Sequence, residues 1–410
     1  MADLALVHAG ELVTCDGTGE EGLGIVQDGA LLCDGGRVVW TGTTRELGRR
    51  LVGKAVRRVD AQGGLVAPGF VDPHTHLVFA GSREDELERK VKGESYTSIL
   101  NKGGGILRTI RETRRASVAS IASESADRLD QLLSNGVTTA EVKTGYGQDL
   151  KGETKLLTAI GRLRKRSPVE LVSTFLGLHA TPPEFGKAKE YVDHAIRKML
   201  PMVASMKERP SFSDCFCEEG VFSAGECERY LRASRELGFA CKIHADEFSD
   251  SGGATLAAKM KCVSADHLGS SSAEGAMMMG KEGVVAVLLP ATSLYSGIRY
   301  ADSRRLAEAG CRVALGTDLS PNSWVESPQF VMGLACAGLR MTPAEALKGF
   351  TVNAALALGR PDLGRLTVGA PADFVLHSIA SYEFLAYRVG GHYVRSVYKG
   401  GREVYASPEV

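Results

Sequence analysis

The chain has 410 residues, 44% of them hydrophobic and 24% charged, with 14 Pro, which excludes a disordered or fibrous protein and allows one large domain with an appendage. Lys plus Arg and Asp plus Glu both number 49, so the net charge is zero and no basic excess marks a nucleic-acid partner. The longest apolar run, Val284 to Pro290, is far short of the ~20 residues that span a bilayer, and the acidic Asp3 with no long apolar run in Met1 to His8 argues against a signal peptide, so a cytoplasmic protein with no membrane attachment is expected.

Residues 1 to 63 read as β-structure, with short alternating segments at Leu31-Leu32 and Arg37 to Thr41 punctuated by Asp28-Gly29 and Gly35-Gly36. From residue 65 the pattern changes, and apolar runs alternate with helical periodicity. Strands are expected at 65–74, 136–143, 169–179, 214–218, 239–244, 261–267, 284–290 and 312–318. Helical spacing of Ala122, Ala126, Leu129 and Leu133 stops at Asn135-Gly136, and a segment from Ala224 to Leu237 stops at Gly238. The basic cluster Arg162 to Arg166 falls where a helix should end, complementing its dipole.

Eight β/α alternations over some 290 residues predict a (β/α)8 TIM barrel, an α/β fold. A doubly wound sheet is the alternative, but no Gly-x-Gly-x-x-Gly follows the first strand. After helical segments at 343–359, β-like text returns at Ala372 to Leu376, and Val394 to Tyr398 and Glu403 to Tyr405 flank Gly400-Gly401 as a hairpin. The expected organisation is a discontinuous β-rich satellite domain of residues 1–63 plus 361–410 around a barrel of residues 64–360.

Barrel chemistry sits at the carboxyl ends of the strands. Those ends carry His74 and His76, Lys143, His179, Glu218, His244, His267 and Asp318, so five of the nine histidines gather there. The other four, His8, His194, His377 and His392, are expected to be structural or on the surface. In Val71-Asp-Pro-His74-Thr-His76 the two imidazoles share one face of an extended chain and can share one ion. His74, His76, His244 and Asp318 make a shell of three nitrogens and one oxygen suited to zinc or iron, with a position left for water, whose pKa falls from about 15.7 to ~7 on zinc. Nine scattered cysteines do not look like a disulfide framework, and Cys215-Phe-Cys217 has no second pair to complete a thiolate site, so free buried thiols are expected.

These residues resemble the amidohydrolase superfamily and, more closely, its imidazolonepropionase family. The resemblance runs through Val71 to Glu84, Gly103-Gly-Gly-Ile106, Glu141-Val-Lys-Thr-Gly-Tyr146-Gly, Thr174 to Ala180, His244-Ala-Asp-Glu247-Phe, Asp266-His267-Leu and Gly316-Thr-Asp318-Leu. It implies metal ligands at His74, His76, His244 and Asp318, catalytic roles for Glu247, His267 and Asp318, and substrate contacts at Arg83, Tyr146, His179 and Ser323. One metal ion per chain, zinc or iron, is implied, because the fourth strand, Asp214 to Glu218, lacks the lysine that binuclear relatives use. The implied reaction is hydrolytic ring opening of 4-imidazolone-5-propanoate to N-formimidoyl-L-glutamate in histidine degradation. A small-molecule substrate and a homodimer complete the expectation.

The chain departs from the family in reading Leu319-Ser320-Pro321-Asn322-Ser323 where Leu-Asn-Pro-Gly-Ser is typical. Two rivals are a purine or pyrimidine aminohydrolase on the same shell and a non-catalytic barrel homologue. Arg83 disfavours the first, since a neutral base offers it no carboxylate, and four converging metal-binding groups disfavour the second.

Overall fold

The protein is described by a computed structural model covering residues 3–50, 56–94, 98–99 and 102–408. The amino-terminal segment contributes β1 (Leu4–Val13), β2 (Ile25–Asp34), β3 (Arg37–Thr43), β4 (Arg57–Asp60) and β5 (Val66–Pro68). Then follow β6 (Phe70–Asp72), β7 (Val137–Lys143), β8 (Glu170–Leu178), β9 (Phe212–Cys217), β10 (Ala240–Ala245), β11 (Ser264–His267), β12 (Val285–Leu288) and β13 (Val313–Leu315). The carboxyl-terminal segment adds β14 (Phe374–His377), β15 (Val394–Lys399) and β16 (Arg402–Ala406).

Strands β6 to β13 pair in sequence order, all parallel, with at least one helix in each connection. This is the expected (β/α)8 barrel. Its strands are buried almost without interruption because helices cover the outside and side chains fill the centre. The remaining strands form one sheet in the order β16-β15-β14-β5-β1-β2-β3, with β4 pairing β1, so both chain ends build a single satellite layer.

Helix ends follow local chemistry. Ser223 and Glu226 form a reciprocal capping box at the start of Ala224–Glu236, and Gly238 (φ +80°) turns the chain out just past its end. Asn135 and Gly136 (φ +92°) likewise end Val118–Ser134 before β7.

Four expectations are corrected in detail. The strand expected at 65–74 is two strands in different sheets: Gly69 N–H donates to Asp373 O (2.9 Å) in the satellite layer, and Phe70 N–H donates to Gly136 O (2.9 Å) in the barrel. A Cβ at Gly69 would lie 2.4 Å from the Thr138 side chain, so the crossing needs glycine. Asp28-Gly29 is an irregularity inside β2, at a register shift against β1, because Asp28 adopts φ 45° and the strand resumes at once. Thr44–Arg50, in a region expected to be β-structure, is a helix that buries Leu47, with the Glu46 carboxylate accepting from Thr43 N–H (2.9 Å). Finally, β6 ends at Asp72, so His74 and His76 lie just past the strand; Thr75 bridges Leu319 and keeps the chain extended there.

Candidate active site

The barrel closes where its polar residues converge. Asp318 N–H donates to His74 O (3.0 Å) and His76 N–H donates to Leu319 O (2.9 Å), which brings the first and last barrel strands together beyond their ends. Thr75 points the other way and donates to Glu141 O (2.5 Å), so alternation leaves His74 and His76 on one face. His267 (φ 74°) and Asp318 (φ 50°) both occupy the left-handed region, an unfavourable conformation for these residues that the barrel rim imposes.

The Nε2 atoms of His74 and His76 are 3.3 Å apart, and those of His244 and His76 are 3.4 Å apart. Asp318 Oδ1 lies 3.5 Å from Nε2 of both His74 and His76, while its Oδ2 accepts from the Thr292 hydroxyl (2.5 Å). On the far side of the rings, His74 Nδ1 is 2.7 Å from Asp266 and His244 Nδ1 is 3.2 Å from Asp214. A carboxylate accepts, so Nδ1 carries the proton and Nε2 turns its lone pair toward its neighbours. Burial drives all three imidazoles well below the usual histidine pKa, holding them in the neutral form that ligates. Converging buried lone pairs repel one another unless a cation lies among them. The donor set therefore fits a metal ion, and His74, His76 and His244 could hold one.

Around this cluster stand the other expected residues. The His179 ring stacks on His76 at 5.0 Å and 17°, its Nδ1 lies 3.2 Å from Gly145 O, and burial pushes its pKa down to about 4. The buried Tyr146 ring packs 5.7 Å from His76 and 5.2 Å from His179. His267 lies 5.2 Å from His244 and 5.5 Å from His74 between ring centres, and burial lowers its pKa to about 4. Glu247 Oε1 is 3.7 Å from His267 Nδ1; burial, then the charges of Asp318 and Glu218, raise Glu247 well above the carboxylate range, so the two face each other as a neutral pair. Burial also raises Asp318 to about 7.

Arg83 is 7% exposed, and its Nε is buried without a hydrogen-bond partner. Its charge is among the lesser causes that depress His179, after burial. Ser323 lies in the loop after Asp318, where Ser320 N–H donates to Ser323 O (3.1 Å) and the Ser323 hydroxyl is buried without a partner. In the same loop Asn322 accepts from Lys90 Nζ (2.9 Å), so the departure from the family sequence ties this loop to helix Asp85–Val91.

Three features escape the sequence reading. Phe216 packs against His179, His244 and His267 at 6.4, 5.8 and 6.4 Å, a wall between two cysteines with no motif of its own. Glu218, noted only as a strand-end residue, accepts from Phe248 N–H (2.9 Å), Ser249 N–H (3.1 Å) and the Ser251 hydroxyl (3.2 Å), pinning the loop that carries Glu247. Below the histidines, Lys143, Lys242, Glu141, Asp214 and Asp266 form a charge network with every member fully buried. Lys143 Nζ lies 2.7 Å from Asp214, 3.1 Å from Glu141 and 3.2 Å from Asp266, and Lys242 Nζ lies 2.7 Å from Glu141. Burial alone would lower Lys143, but these carboxylates outweigh it and raise its pKa; Lys143 in turn helps hold Asp266 below the usual range against burial. Apolar runs announce strands but not which buried charges meet across them.

Residues 87–405 match the amidohydrolase family model. The chain is 43% identical over 407 residues to an imidazolonepropionase of Parabacteroides distasonis, covering 97% of each chain. It is 45% identical over 387 residues to one of Geobacillus kaustophilus, covering 93% of this chain and 91% of the other. The chain belongs to the imidazolonepropionase family of amidohydrolases. Imidazolonepropionases therefore supply the frame for the site, and the chain is a hydrolase. Among solved structures, Escherichia coli guanine deaminase superposes with a TM-score of 0.75 at 18% identity over 99% of both chains. A Xanthomonas campestris adenosine deaminase with bound zinc superposes with 0.73 at 18% identity, over 98% of this chain and 92% of the other. At that identity the likeness shows the fold alone.

Proposed function

We propose that this imidazolonepropionase family member opens the ring of 4-imidazolone-5-propanoate with one zinc or iron ion held by His74, His76, His244 and Asp318. The observation that carries this reading is the convergence of these ligating atoms beside a buried arginine whose Nε lacks a partner. The ion would supply Lewis acidity and an acidified water at neutral pH. Overall, water's oxygen joins the ring carbonyl carbon, the adjacent carbon–nitrogen bond breaks, and the departing nitrogen takes a proton.

The side chains divide that work. Neutral His267 donates an N–H to the oxygen as negative charge develops on it. Asp318, raised by burial toward neutrality, takes the water's proton and delivers it to the leaving nitrogen. Glu247, kept protonated by burial, accepts a ring N–H through its carbonyl oxygen. Arg83 pairs with the propionate carboxylate through two parallel hydrogen bonds, Tyr146 and His179 line the ring's side, and Ser323 offers its unpartnered hydroxyl. A nucleobase would leave Arg83 without an anion, which weighs against a deaminase.

The enzyme acts in the cytoplasm as a homodimer on this reading. Nine free cysteines support a reducing compartment, and among the described residues no helix is long and apolar enough to cross a membrane. The test is metal removal followed by an assay of imidazolone loss: chelation should abolish activity and one equivalent of zinc or iron should restore it. Full activity in metal-free protein would refute the reading.

A further inference from the structure

We propose that Lys143 is a positioning residue for the metal centre, acting through two carboxylates at once. Its ammonium bridges Asp214 (2.7 Å) and Asp266 (3.2 Å), and those carboxylates hold Nδ1 of His244 (3.2 Å) and His74 (2.7 Å). Two of the three ligand imidazoles thus owe their orientation and tautomer to acceptors anchored on one cation. Ser264 also donates to Asp266 (2.6 Å), but this neutral contact supplies no charge. Lys242 holds the base of the same assembly through Glu141 (2.7 Å) and Pro73 O (3.0 Å), next to His74 in the chain.

The physical logic is that three carboxylates and two ammonium groups, all fully buried, carry one net negative charge directly behind the ligands. Without Lys143 the excess becomes two, and Asp214 and Asp266 repel each other in a medium that screens poorly. They would then part, and a carboxylate that has moved away no longer fixes the ring of His74 or His244 through its Nδ1. The Glu141-Val-Lys143 part of the motif that precedes Tyr146 thereby gains a function: it sets how tightly the centre holds an ion. Partners behind metal-bound histidines typically change affinity 10–100-fold when removed, so about that loss is expected here.

The inference rests on the metal-centre reading, and the experiment separates the two. Zinc affinity is measured by competition with a chelator, alongside the melting temperature of the metal-free protein, for the parent, Lys143→Met, Asp266→Asn and the double variant. Lys143→Met should weaken zinc binding about 10–100-fold, and the double variant should lose far less than the product of the single losses, because both changes cut the same support. A lower metal-free melting temperature with zinc affinity unchanged, or fully independent losses, would overturn the role of Lys143. Failure of the parent to bind zinc would instead overturn the metal reading. Should Lys143→Met not fold, Lys143→Gln, which keeps one donor toward Asp214 without the charge, carries the same expectation and the same refutation.

Discussion

Arg83 and His267 illustrate how much a single side chain's surroundings say about its task. A guanidinium that is 7% exposed, with an unpartnered Nε, carries a desolvation cost that an anionic ligand would relieve. Arg83→Met should therefore lower kcat/KM on the natural substrate by roughly 2–4 kcal/mol in transition-state stabilisation, with metal content intact. An analogue with a neutral chain in place of the propionate should lose little, and equal losses on both would refute carboxylate binding. His267 sits over the ligand cluster with burial holding it neutral, yet its nearest acidic neighbour, Glu247, is 3.7 Å away. Removing it as His267→Ala should cut kcat by about 100-fold, the scale of one lost oxyanion donor, while bound metal measured by elemental analysis stays at parent level. Loss of metal with activity would make His267 a ligand instead.

At the scale of elements, the site depends on how strand ends hold their following loops. Glu218, just past β9, accepts hydrogen bonds from the loop that follows β10 and so couples neighbouring strand ends to the position of Glu247. Glu218→Gln would replace one acceptor oxygen with an amide donor facing backbone N–H groups. It should lower kcat at least about tenfold and broaden the pH profile that Glu247 shapes, with zinc affinity unchanged. Unaltered kcat and pH profile would reduce Glu218 to a surface-loop tie. Further from the chemistry, Ser223→Ala breaks the capping box of Ala224–Glu236 and should cost about 1 kcal/mol in urea unfolding without touching activity.

For the molecule as a whole, the seam between satellite sheet and barrel carries its own pH signature. His377 on β14 is fully buried against Phe70 of β6, with both ring nitrogens unpartnered, and burial followed by His392 lowers its pKa to about 3. Its folded value lies below the unfolded one, so the unfolded chain binds the proton first. The penalty is absent above about pH 6.5 and grows as pH falls from there toward 3. His377→Leu should therefore narrow the stability difference between pH 7.5 and pH 5 in urea titrations by on the order of 1–2 kcal/mol, and an unchanged difference would refute the buried neutral state.

What the sequence alone determined follows from local rules. Periodicity located all eight barrel strands, Gly400-Gly401 (φ 56° and 70°) marked the β15–β16 turn, and the strand-end rule placed His74, His76, His244, His267 and Asp318 together at one end of the barrel. Each of these signals resides within a few residues of chain. The tertiary structure alone decided the rest, because those properties belong to pairs of distant residues. The split of 65–74 between two sheets depends on which backbone groups face Gly69 and Phe70, since an apolar run reads alike in either layer. The helix at Thr44–Arg50 is too short for a periodic signal to outweigh its β-rich neighbours. The assembly of Lys143, Lys242, Glu141, Asp214 and Asp266 spans four strands, and only the closed barrel brings their charges close enough, in a medium dry enough, to control one another.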